Sequence, residues 1–385
     1  GTLDTNAVTA AIDRMRTSGT PFIDLTETNP TAAGITYPAD LLSALASPAA
    51  LTYAPEPLGL PAARQAAAAE MSRQGATIPP DRVVMTASTS EAYSLLFKLL
   101  CDPGDEVLIP QPSYPLFEHL TRLDGVRAVP YQLEYHGRWA IDIDSLDRAL
   151  SPRTRIVLVV SPNNPTGHHL SAADLDALAD RCAARQAAIV SDEVFADYAL
   201  DADEAPRGAL LCRTDVAGFT LGGLSKSIGL PQAKLGWIAV SGPASFVGET
   251  MPRLELVCDT YLSVSTPVQL ATPALLEHGA AVREAIQSRL RENLAACDAM
   301  LAAAPSCTRL HAAGGWYAVL RVPSLQPEDE LMLSLLEHDR VLVQPGYFFD
   351  FAHESFLVVS LLPEPAAFRE GLSRVLARFS HVGRA

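Results

Sequence analysis

Short apolar, β-branched runs alternate with helix-like segments through the first two-thirds of the chain, and this alternation constrains the fold most. RVVMTAS (82–88) precedes TSEAYSLLFKLL (89–100), and DEVLIP (105–110) precedes YPLFEHLTRL (114–123). RIVLVVS (155–161) leads through a loop to SAADLDALADRCAAR (171–185), while AAIVSD (187–192) and GFTLGG (218–223) complete the set. Strands that read as near-continuous apolar runs between helices predict an α/β fold with a parallel sheet covered on both faces. From residue 271 the pattern becomes one long helical stretch, ATPALLEHGAAVREAIQSRLRENLAACDAMLAAA, followed by mixed strands and helices of a smaller α+β unit. The first forty-odd residues, with Pro21, Pro30 and Pro38, read as an irregular arm. A chain of 385 residues is long for one core, so the expected division is an arm (1–45), a large domain (46–270) and a small domain (271–385).

Charge and cysteine usage narrow the function classes. The net charge is −15 with a pI of about 5.0, and there is no basic stripe, so nucleic acid is not an expected partner. The acidity serves solubility. The six cysteines (101, 182, 212, 258, 297 and 307) are scattered without a C-x-x-C pair, which argues for reduced thiols, a cytoplasmic protein and no metal centre. No apolar run approaches the roughly 20 residues of a membrane span. The opening GTLDTNAVTA lacks a basic stretch followed by an apolar one, so no secretory signal is expected.

The basic residues are written almost wholly as arginine. Only Lys98, Lys226 and Lys234 are lysines, and the last two share the uncharged, glycine-rich stretch GGLSKSIGLPQAKLGW (222–237). In an open α/β sheet, ligands bind at the carboxyl ends of the strands. Standing there are Ser88-Thr89-Ser90, Tyr114, Asn164, Asp192 and Lys226, types that together suit a phosphorylated aromatic heterocycle. Each has a plainer reading too. TASTSEAY either offers hydroxyls and free N–H groups to a phosphate or simply caps a helix. Asp192 emerges from a buried strand and needs a cation, whether at a ligand or on a structural arginine. NNPTG (163–167) is turn chemistry first. GFTLGG is followed by LSKS, so a nucleotide-binding P-loop is not formed.

SPNNPTG, then SDEVFADY (191–198), then LSKSIGLPQAKLGW, in this order and spacing, resemble the class I/II aminotransferases of the fold-type I enzymes that use pyridoxal 5'-phosphate. The resemblance runs from the NPT near position 30 to the VVS near 360. It implies a large domain with a mostly parallel central sheet and a smaller α+β domain. Lys226 would condense with the cofactor aldehyde, which a guanidinium, protonated at every working pH, cannot do. Asp192 would pair with the ring nitrogen, Asn164 with the ring O3′, and Tyr114 would stack on the ring. Ser88, Thr89, Ser90, Ser225 and Lys234 would hold the phosphate. Tyr53 resembles the tyrosine that reaches the phosphate from a neighbouring subunit, implying a homodimer with shared sites. Asn29 and Pro30 would close over the substrate, and Tyr347 would line its pocket.

The sequence departs from the family at three points. Gly223 stands where a phosphate-binding serine is often found. Phe195, counted among the cofactor-binding residues, stands where a tyrosine would donate to O3′. In FLVVSLLP (356–363) the arginine expected two residues before the serine, which grips the substrate carboxylate, is Val358. Arg253 and Arg321 are candidate substitutes. PGYFFDF (345–351) is either an aromatic pocket wall or core. The resemblance implies an aminotransferase passing an amino group from an amino acid or amine to a 2-oxo acid. The alternative is a lyase, decarboxylase or cyclising synthase on the same fold. A cofactor-sensing regulator would need a DNA-binding module, for which the stretch ahead of Asn29 leaves no room.

Overall fold

The computed structural model describes residues 6–73, 75–201, 209–353 and 355–380. The opening GTLDT, read above for a leader signature, lies outside them. Among the described residues the central sheet has eight strands. Their order is Val83–Thr86, Gly236–Ser241, Gly218–Gly223, Ala188–Asp192, Thr154–Val160, Glu106–Gln111, Arg127–Tyr135 and Trp139–Ile141. The five strands from Gly218–Gly223 to Arg127–Tyr135 pair in parallel; Trp139–Ile141 closes one edge antiparallel, and at the other only Gly236–Ser241 runs against the rest, Val83–Thr86 returning to their direction.

Both faces of the sheet are covered, which is why its strands read as unbroken apolar runs. Val107, Ile109, Ile156, Leu158 and Val190 pack on one side with Leu95, Leu96 and Leu254 of helices Thr89–Leu100 and Ala244–Tyr261. The alternate residues Leu108, Val157, Val159 and Ile189 pack on the other with Leu175 and Leu178 of helix Ala172–Arg185. That helix opens with a capping box in which Ser171 and Asp174 satisfy each other's backbone N–H groups.

Beyond the sheet, Thr308–Arg309, Tyr317–Arg321, Phe356–Ser360 and Gln344–Pro345 form an antiparallel sheet. Two expectations are corrected here. The opening segment is not irregular: Asn6 caps a helix, Ala7–Ser18, and Ile23–Asp24 then pairs in parallel with Val341–Leu342. The helix is hard to see in sequence because only Ala11 and Met15 on it are buried, against Leu336 and Leu342. The long helical stretch is two helices, Thr266–His278 and Ala280–Ala302. They divide at Gly279, where a Cβ would stand 2.5 Å from the Leu275 carbonyl oxygen and 2.7 Å from the Cβ of Ile228, so close packing against the Lys226 segment leaves room only for glycine.

Candidate active site

Strand register gathers the site. Val160 lies beside Asp192, and Asp192 beside Leu221, so the residues just past these strand ends meet at the carboxyl edge of the sheet. Lys226 sits there in the short helical turn Leu224–Ser227 that follows Gly218–Gly223. Its Nζ lies 4.7 Å from the Trp316 ring centroid and 5.5 Å from that of Phe195. Phe195 and Tyr198 each set an edge against Trp316, with centroids 5.3 and 5.1 Å away, so the amine stands in an aromatic box. Burial pushes the pKa of Lys226 down to about 8, against the opposing pull of Asp192. A lysine so placed is neutral, hence nucleophilic, in a far larger fraction near neutral pH than an exposed one.

Asp192 ends its strand almost fully buried. Its carboxylate accepts the Tyr93 hydroxyl at 2.6 Å and the Val194 N–H at 3.1 Å. Burial pushes its pKa up, while these bonds and Lys226 hold it down. The cation acting on this anion is therefore Lys226.

The two asparagines of SPNNPTG have separate fates. Asn163 is spent inside the loop: its carboxamide accepts from Ser113 at 2.9 Å and donates to the Pro112 carbonyl and the Thr166 hydroxyl. Asn164 instead keeps a buried Oδ1 with no hydrogen-bond partner among the described residues. It faces the Tyr317 phenol together with Thr28, and burial pushes that phenol up to about 12 while both side chains hold it down. A half-buried carboxamide with a buried, unspent Oδ1, on the loop after the strand that pairs with the Asp192 strand, fits the ring oxygen of pyridoxal phosphate.

Ser88 is the N-cap of helix Thr89–Leu100, its hydroxyl accepting the Glu91 N–H at 3.1 Å. Its side chain is thus committed to the helix, and Thr89 and Ser90 stand in the first turn, where backbone N–H groups have no intrahelical acceptor. Ser225 is half-buried in the Lys226 turn, whereas Lys234 is exposed and in the left-handed region at φ 51°. Gly223 has a steric reason: a Cβ there would stand 2.9 Å from the carbonyl oxygen of Leu235, the residue just before the neighbouring strand Gly236–Ser241. Tyr114 is half-exposed and meets Phe348 edge-on with centroids 6.5 Å apart.

The other expected residues are more dispersed. Tyr53 is 77% exposed and shares a surface groove with Tyr261 and Leu262. Pro30 is buried and Asn29 exposed, its side chain accepting from Thr31, next to the Thr28 that reaches Tyr317. Tyr347 turns its hydroxyl to Asp329, which together with burial pushes its pKa up to about 12. The aromatic segment divides: Phe348 meets Tyr114, whereas Phe349 is buried behind Tyr317. Strand Phe356–Ser360, FLVVS, carries no arginine at any position, and Val358 is fully buried between Val319 and Gln344. Neither candidate substitute takes its place. Arg253 projects from an outer helix with its side chain 71% exposed. Arg321 is exposed at the far end of the strand that begins with Tyr317, about 13 Å along it.

The model of the aminotransferases of class I and II matches residues 21–375. The chain belongs to the class I and II aminotransferase family. The aminotransferase is 28% identical over 289 residues to an alanine aminotransferase of Mycobacterium tuberculosis, covering 74% of this chain and 67% of that one. It is 26% identical over 377 residues to a glutamate-pyruvate aminotransferase of Haemophilus influenzae, covering 95% and 92%. Among solved structures, an alanine aminotransferase from Pyrococcus furiosus superposes with a TM-score of 0.86 at 25% identity, covering 97% and 95%. The aminotransferase is thus a transaminase that depends on pyridoxal phosphate. Sequence reasoning gave no role to Trp316, Tyr317, Thr28, Tyr93 and Tyr198, although Tyr93 ends TASTSEAY, Tyr198 ends SDEVFADY and Trp316 and Tyr317 stand in the GGWY run at 314–317. Among the described residues no helix is long and apolar enough to cross a membrane.

Proposed function

We propose that this aminotransferase moves an amino group from a donor with a sizeable apolar or aromatic group to a 2-oxo acid, as a homodimer with shared sites. The observation that carries the reading is the convergence of Lys226, Asp192 and Asn164 behind an aromatic wall. When bound, pyridoxal phosphate supplies an electron sink for the bond broken at the donor's α-carbon. Lys226 would hold it covalently and, once released, carry the proton removed from that carbon. Asp192 would keep the ring nitrogen protonated and Asn164 would hydrogen-bond the ring oxygen. Tyr114 would cover one ring face, while Thr89, Ser90, Ser225, Lys234 and the hydroxyl proton of Ser88, whose oxygen caps the helix, would hold the phosphate. Phe195 supplies no hydroxyl, which leaves Asn164, with the Tyr317 phenol beside it, as the polar surroundings of the ring oxygen.

Donor preference follows from the strand without arginine. A charge-assisted hydrogen bond contributes roughly 1.5–3 kcal/mol, so a carboxylate without its fork loses about ten- to a hundredfold in affinity. Tyr114 and Phe348 at the mouth offer ring contacts instead. In a panel of donors, aromatic amino acids are expected to convert the cofactor to its amine form faster than alanine or aspartate. Aspartate as the best donor would contradict the reading. The same strand also suits a lyase, decarboxylase or cyclising synthase, and the panel separates these because they return the cofactor unchanged.

The dimer is supported by the exposure of Tyr53, Tyr261 and Leu262 along one groove. Mixing inactive Lys226→Ala chains with inactive Tyr53→Ala chains is expected to restore part of the activity through hybrid sites. A fully active monomer in sedimentation would count against it.

A further inference from the structure

We propose that Tyr198 and Arg283 are positioning residues for Lys226, holding the main chain of its turn through a charge network that reaches from the buried Glu70, Asp197 and Arg283 to Arg73 at the surface. The proposal rests on Lys226 being the reactive amine, as above. The turn is four residues long and closes locally only through Leu224 and a long 3.3 Å bond from the Gly229 N–H to the Lys226 carbonyl, so its last carbonyls have room for further donors. The Tyr198 hydroxyl donates to the Lys226 carbonyl, and Arg283 Nε donates to the Ser227 carbonyl at 2.8 Å. A third donor, the Tyr37 hydroxyl, reaches the Gly229 carbonyl at 2.6 Å. Glycine is needed at 229: φ is +62°, and a Cβ would stand 2.9 Å from that same hydroxyl. The three donors lie 28, 56 and 192 residues from their acceptors, so three distant parts of the chain converge on one turn.

Arg283 is itself held. Its Nη2 donates to Glu70 at 2.6 Å, and its Nε lies 3.6 Å from Asp197 Oδ2. Arg73 bridges the same two carboxylates, at 2.8 Å to Glu70 and in close contact with Asp197. Gln287 donates to the Asp197 carbonyl at 2.7 Å. Two guanidinium groups thus face two carboxylates, and the charges balance beneath the turn. Asp197 and Tyr198 are consecutive, so one step of chain supplies both a carboxylate for Arg283 and the phenol for the Lys226 carbonyl.

Fixing this main chain fixes where the amine stands over Trp316 and how little water reaches it. The groups around it are Asp192 with its Tyr93 partner in front, the four charged side chains beneath, and Glu193, whose carboxyl burial pushes up to about 7. If the turn loosens, water reaches the amine and its proton affinity rises toward that of an ordinary lysine. Arg283→Lys keeps the charge and removes the fork, while Tyr198→Phe removes one oxygen and keeps the ring.

The experiment is a pH profile of Lys226 acylation by acetic anhydride in the full chain freed of cofactor, read by mass spectrometry. In the parent the midpoint is expected near 8, the value to which burial brings this amine. In Tyr198→Phe and Arg283→Lys it is expected to rise by about one unit, a tenfold smaller neutral fraction at pH 7. Turnover should fall in parallel with the donor KM unchanged. Variants that melt earlier yet keep the parental midpoint and turnover would show the network to be structural only and overturn the proposal. If Arg283→Lys does not fold, Tyr198→Phe alone decides. A parent in which borohydride fixes the cofactor on another lysine would remove Lys226 as the reactive amine, a different failure from an unchanged midpoint.

Discussion

Replacing Lys226 with alanine is expected to lower turnover by at least about a thousandfold while the fold survives, because a positioned acid–base group alone supplies 10²–10⁴ and the covalent link is lost besides. The amine meets ring faces, and the turn is held through its carbonyls by Tyr198 and Arg283. Truncating the side chain leaves those bonds in place. Turnover together with a thermal melt checks this: near-parental activity would contradict the assignment, and loss of folding would show a structural role.

Asp192→Asn is expected to cost about 10²–10³ in kcat with little loss of bound cofactor. By the relation of about 1.36 kcal/mol per tenfold, that is roughly 3–4 kcal/mol of transition-state stabilisation. Asparagine keeps the shape of the site and one accepting oxygen, enough for the Tyr93 hydroxyl but not also for the Val194 N–H, and removes the charge. The sign of the pH dependence follows from the same group. Burial raises the Asp192 pKa, so acidification protonates it sooner than an exposed aspartate, and activity is lost on the acid side. Near-parental kcat for the variant would make Asp192 a structural residue.

Five of the eight central strands were legible because they are buried on both faces, and their expected bounds fall within a residue or two of the observed ones, as with Ala188–Asp192. Arg127–Tyr135, Trp139–Ile141 and Gly236–Ser241 were not read; the first two carry few buried residues and so show no apolar run. The rest of what escaped was decided by contacts distant in sequence. Gly279 sits inside a helical pattern, and its tight packing against Leu275 and Ile228, which the sequence does not show, is met where the two helices divide. Helix Ala7–Ser18 buries just two residues, too few to impose a visible period. Asn163 and Asn164 are indistinguishable as letters, and Ser113 and Thr166 spend one while leaving the other. In PGYFFDF the sequence shows aromatic density, but packing sends Phe348 to the mouth and Phe349 to the core. Asp192 ends an apolar strand and Lys226 follows one by three residues, so the sequence places both at the sheet's carboxyl edge, whereas the contacts of Tyr198 and Arg283 with carbonyls of the turn cannot be read from letters.

The central claim is that Lys226, buried in its aromatic box, is the residue that carries the cofactor. The most direct measurement is borohydride reduction of the holoenzyme followed by proteolysis and mapping of the labelled peptide. The account predicts a single modified lysine, Lys226. A label on Lys98, which is held by Ser94 and Asp124 away from the site, or on the exposed Lys234 would contradict it.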